Sequence, residues 1–172
     1  MTSEASLSEE VDLTRYIQRS RVSSVWARDA VQFGKQFLFD KDPETCWNSN
    51  QGESQFVHVE FRRPVSVHRI TLLFQGGFAA KKCELAVRQS ADGEKRTVAT
   101  FYPSPDTRQQ DCEVSDADSI LELWLDIPEC YDFFGRIAIY TFGIFGSLPA
   151  DDRDTGDQEC SAERTPDEVV FF

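Results

Sequence analysis

The chain has 172 residues, 40% of them hydrophobic, with fourteen Phe and three Trp, enough apolar mass for one domain with room left for flexible ends. Its formal net charge of −12 argues against a nucleic-acid surface, because phosphate contacts need clustered Lys and Arg, and disfavours docking on anionic membranes. No apolar run reaches the length of a membrane span, and the polar N-terminus does not read as a signal peptide.

Residues 1–20 open acidic and then carry Leu7, Val11, Leu13 and Ile17 among polar residues, which predicts a flexible arm or a short helix. Asp40, Asp42, Pro43 and Thr45 follow in a turn that delivers Trp47; Asp side chains accept backbone N–H groups in such turns, and Pro fixes φ. Trp47, with Phe56 at the head of the next strand, offers large apolar surface for burial. From there the period is two. Residues 56–61 alternate, as do residues 67–74, which stop at Gly76 and Gly77. Residues 83–88 alternate up to the turn signal of Asp92 and Gly93, and residues 97–102 end at Pro103. Leu121, Leu123, Leu125 and Ile127 share one strand face, opposite Glu122, Trp124 and Asp126. Residues 136–145 are almost continuously apolar, as in a central strand covered on both sides. Beyond Leu148, eight acidic residues against Arg153 and Arg164 predict a disordered acidic tail over residues 148–172. The folded unit is therefore expected at residues 21–147, as an all-β antiparallel sandwich.

Chemistry-bearing residues are sparse. Cys46, Cys83, Cys112, Cys130 and Cys160 are odd in number and lack a C-x-x-C pair, a pattern of free thiols in a reducing compartment, the cytosol or nucleus. His58 and His68 sit within strands, and no phosphate loop, nucleophile elbow or H-E-x-x-H pattern accompanies them, so catalysis is not expected. Residues 121–125 approach a nuclear-receptor box, but Trp124 replaces a required Leu and the alternation demands a strand where that box needs a helix. The terminal Val169, Val170, Phe171 and Phe172 read as an incidental C-terminus, with a short docked peptide as the competing reading. Asp40, Asp42 and Thr45 carry the oxygen ligands a Ca²⁺ ion takes, against which stands a turn tied by its own hydrogen bonds.

The order of these segments resembles a known module. Ser23 and Ser24, the Asp-x-Asp-x-x-Thr-x-Trp turn, the strand led by Phe56, the V-x-x-I-x-L-x-F strand ending at Gln75, Gly76 and Gly77, and the last strand to Phe145 and Gly146 resemble the discoidin, or coagulation factor five/eight type C, domains. The resemblance implies a jelly-roll β-sandwich of the galactose-binding-like kind. Calcium-binding members of that superfamily usually add a Glu from the last strand, whereas residues 140–143 offer none; no metal or other cofactor is therefore expected. Within the group, residues 32–35, 46–49, 74–78 and 132–136 resemble the family of small proteins associated with the orphan nuclear receptor called testicular receptor four. That resemblance implies a non-enzymatic nuclear protein, with the cytoplasm also open to it. It would bind the receptor and repress transactivation by hindering the receptor's engagement with DNA. The chain itself would contact neither nucleic acid nor membrane. A carbohydrate- or lipid-binding module and a scaffold subunit of a larger complex are the alternatives.

In discoidin modules the loops at one end of the sandwich carry ligand contacts, and the resemblance places Phe33, Gly34, Gln75, Gly76, Gly77, Phe78 and Phe133 near that end as the candidate partner surface. Gly76 and Gly77 permit a projecting loop with Phe78 at its tip. The other reading has these rings capping the open end of the core; it stands beside the first for Phe78 and is the expectation for Phe134. Asp40, Asp42, Thr45 and Trp47 are expected to mark the fold.

Overall fold

The computed structural model describes residues 9–149; the acidic tail read from the sequence lies almost wholly outside them. Nine strands form two antiparallel leaves: β1 (Val11–Asp12), β2 (Ile17–Val22), β3 (Trp47–Asn48), β4 (Gln55–Phe74), β5 (Ala80–Arg88), β6 (Arg96–Phe101), β7 (Gln110–Glu113), β8 (Ile120–Cys130) and β9 (Ala138–Ser147). One leaf runs β2–β4–β8–β5–β6, and the other holds β1, β3 and β7 around a β4–β9 centre.

β4 belongs to both leaves. Its first half pairs with β2 and β8, its second with β7 and β9. The crossing falls at Pro64, which has no N–H to give a ladder and sits where pairing with β8 skips from Glu60 to Val65. The two stretches read as separate strands are thus one strand with a corner. A register shift against β9 between Val67 and Arg69 then flips the inward parity. Val57, Val59, Phe61, Val65 and Val67 point inward before it, and Ile70, Leu72 and Phe74 after it. This bulge is the physical content of the V-x-x-I-x-L-x-F spacing. Between the leaves these side chains meet Leu85, Val87, Leu123, Leu125, Ile127, Phe142 and Ile144, all buried.

Three sequence expectations need correction. Residues 11–20, read as part of an arm or helix, are mostly sheet: Val11 and Asp12 pair with Gly146 and Phe145, and Ile17–Val22 pairs with β4. Between them lies a 3-10 turn at Leu13–Tyr16, capped by the Asp12 carboxylate, with Leu13 fully buried. The alternation was hidden because β2 is an edge strand, with one neighbour and a largely exposed outer face. Phe56 is 38% exposed rather than buried, because it shares the outer face of β4 with His58 and Glu60. Phe134, expected as a core cap, is 60% exposed.

Candidate functional site

Four loops meet at one end of the sandwich: residues 23–34, 49–54, 75–79 and 131–137. Backbone hydrogen bonds lace them together. Gly52 N–H donates to Phe134 O (3.1 Å), Ser49 N–H to Ile137 O (2.8 Å), and Ala138 N–H to Phe78 O (3.1 Å). Side chains add to this, with Gln55 Nε2 donating to Gly135 O (3.1 Å) and the Ala27 N–H donating to Asn50 Oδ1 (3.1 Å). The end is therefore built as one unit and not as independent flaps.

At its centre the Arg136 guanidinium lies 3.6 Å from the Trp26 ring centroid and 4.7 Å from that of Phe78. Two rings clamp one cation, an arrangement stabilised by each ring's quadrupole. Gly77, at φ +85°, and the Phe78 N–H bond to Gln75 O close the loop that aims Phe78 at this clamp. Phe78 is thus half-buried, neither at a free tip nor wholly in the core. Trp26 and Arg136 escaped the sequence reading: a lone Trp before two positive-φ residues, Ala27 and Arg28, fits no periodic pattern.

Beside the clamp stands a tightly tied turn. The Asp132 carboxylate accepts the N–H groups of Phe134 (3.2 Å) and Arg136 (3.0 Å), and Asp132 O accepts that of Gly135 (3.1 Å). Gly135 adopts φ +81°, and a Cβ there would overlap the backbone of Gly52. Only glycine satisfies both conditions. This turn carries Phe133, 92% exposed, and Phe134, packed edge to face with centroids 5.2 Å apart. They border an open cleft of about 640 Å³ whose rim includes Glu53, Glu129, Asp132 and Lys81.

Among the described residues, the other expected positions make no contact with the clamp or the ring pair through their side chains, and the Asp-rich turn lies on a separate loop. Phe33 ends the short helix α1 (Ala30–Phe33), whose first N–H groups are capped by Asp29. It is half-buried and makes no aromatic or cation–π contact among the described residues. Gly34 is buried against Ala30 and Gln36, with no room for a side chain. Gln75 is partly covered, and Gly76 and Gly77 are exposed. In the Asp-rich turn, Asp40 accepts the Asp42 N–H (3.1 Å) and the Thr45 hydroxyl (2.5 Å), while Asp42 accepts the Glu44 N–H (2.9 Å). Trp47 is fully buried and donates its indole N–H to Ser24 O (2.9 Å).

A second polar cluster occupies the outer face of the β4–β8 pair. His58 stacks on Trp124 at 4.5 Å, its Nδ1 accepts from Arg21 (3.2 Å), and its Nε2 meets Glu122 (3.1 Å). With Nδ1 accepting, Nε2 must carry the proton. Burial, aided by the Arg21 charge, lowers the His58 pKa, outweighing Glu122. His58, Glu60 and Glu122 lie close enough to hold a metal ion, but Arg19 and Arg21 pair with Glu60, and Arg88 pairs with Glu122. The chemistry here is that of a salt-bridge network.

No family model matches the chain. It is 47% identical over 128 residues to the nuclear receptor 2C2-associated protein of Danio rerio, covering 74% of this chain and 90% of that one. It is 40% identical over 127 residues to the protein of the same name in Homo sapiens, again covering 74% and 90%. Among solved structures, an F5/8 type C domain from Bacteroides fragilis superposes with TM-score 0.68 at 16% identity, covering 81% of this chain and 97% of that one. A family 32 CBM from C. perfringens in complex with galactose gives 0.64 at 13%, covering 79% and 98%. The jelly-roll, discoidin-like fold is thereby shown.

Proposed function

Because the chain belongs to the nuclear receptor 2C2-associated protein family, we propose that it is a non-enzymatic nuclear binding module for receptor 2C2, the testicular receptor four type. It presents its laced loop end to the receptor and represses transactivation by hindering the receptor's engagement with DNA. The observation that carries this reading is the turn at residues 132–135. It spends a carboxylate, a left-handed glycine and several backbone hydrogen bonds on holding two aromatic rings in water, at the end where discoidin-like folds gather their loops. Rings held rigid before binding lose little entropy on docking, and exposed aromatics are characteristic interface anchors.

Co-precipitation of the full chain with receptor 2C2, with a receptor-driven reporter measured in parallel, is the test. Wild type is expected to co-precipitate and to lower the reporter, and Phe133→Ala with Phe134→Ala to lose both effects. Absence of wild-type binding would overturn the reading. Sugar binding of the kind named for the C. perfringens module has less support. Trp47 is buried and the facing sides of Trp26 and Phe78 are occupied by Arg136, so those rings offer a sugar little free face. A saturable glycan ligand on an array would favour it.

A further inference from the structure

We propose that the cleft between residues 52–53 and 129–135 docks a basic peptide segment, one in which a Lys or Arg lies beside an apolar residue. The apolar residue would pack on Phe133 and Phe134, and the cation would reach the acidic rim. The rings make the apolar half of the site, since 92% of Phe133 is in water on a turn that cannot fold it away. The rim makes the other half. Glu53 and Glu129 are exposed and form no ion pair among the described residues; Lys82 stands opposite Glu129 across the β5–β8 ladder, but its ammonium pairs with Glu84 at 3.1 Å. Among the described residues the rim carries one cation, Lys81, which leans towards the Tyr131 ring at 5.8 Å.

Charge selects the occupant. A cation gains from both carboxylates and ring faces, and the chain's net charge of −12 would steer a basic segment inward. Nucleic acid, an anionic bilayer and the chain's own acidic tail are repelled by the same charges. The open cleft, about 640 Å³, suits an extended segment better than an enclosed small molecule. This proposal rests on the receptor reading only for the choice of receptor sequence as a probe.

The test uses the full chain and two sets of short fluorescent peptides, one tiling receptor 2C2 and one of synthetic Arg/Leu/Phe sequences with matched Glu-for-Arg counterparts. Basic, apolar peptides are expected to bind, more weakly as salt rises. Phe133→Ala should weaken them roughly tenfold or more, in the range of a buried aromatic anchor. Glu53→Lys with Glu129→Lys should weaken them and flatten the salt dependence, while Glu94→Lys, on the β5–β6 turn, should not. Binding of the acidic counterparts, or equal binding by the cleft variants, would overturn the proposal. Self-association of the chain through the rings, seen as a dimer by sedimentation and lost in Phe133→Ala, would do the same. If intact receptor fails to bind while basic peptides still fill the cleft, the receptor reading falls and the docking groove stands.

Discussion

Two glycines share nearly the same positive φ and differ in what surrounds them, so replacing each by Ala separates backbone strain from contact. Gly77 has φ +85° and open space where a Cβ would go; Gly135 has φ +81° and the backbone of Gly52 there. Gly77→Ala bears only the left-handed conformation, about 1 kcal/mol. Gly135→Ala bears the same and must also push residues 52 and 135 apart, which breaks the Gly52–Phe134 hydrogen bond, worth about 1 kcal/mol, and loosens the packing around it. These two sum to about 2 kcal/mol before any packing loss. For a chain of this size that is roughly 6 °C in Tm, against about 3 °C for Gly77→Ala. Urea unfolding and thermal melts of both variants measure the difference. Equal losses would refute the claim that the turn carrying Phe133 and Phe134 is locked against its neighbouring loop.

Trp47→Ala should be the most damaging single change, costing about 4 kcal/mol, since it empties the site of a fully buried Trp; near-UV circular dichroism and melting would report it. Stability should fall as pH drops from about 7 through the lowered His58 pKa. The unfolded imidazole takes a proton there while the folded one, accepting from Arg21, does not, and His58→Gln should flatten the slope in urea titrations at stepped pH. Melts with excess Ca²⁺ and with EDTA should coincide, since the carboxylates of Asp40 and Asp42 are already hydrogen-bonded within the turn; a rise with Ca²⁺ would show a metal site.

The interior was legible because burial leaves a mark on spacing. The inward face of β8, with Leu123, Leu125 and Ile127, follows directly from period two, and the parity flip in β4 appears as a one-residue slip in its apolar pattern. Edge elements leave a weaker mark, which is why β2 read as part of an arm. The loop end was legible as composition, through Gly76, Gly77, Phe78 and Phe133, but not as geometry. Its organising contact, Arg136 between Trp26 and Phe78, joins residues 110 positions apart and obeys no local rule. Nor does any pattern say that Asp132 and Gly135 would turn Phe134 outward, since that depends on where Gly52 lies.

The most direct test of the loop end as the partner surface is amide NMR of the labelled full chain titrated with receptor 2C2. Perturbed and broadened resonances should concentrate in residues 23–34, 49–54, 75–79 and 129–137, with Phe133 and Phe134 among the strongest. Changes confined to the opposite end, around the β5–β6 turn and Leu148, would contradict the account.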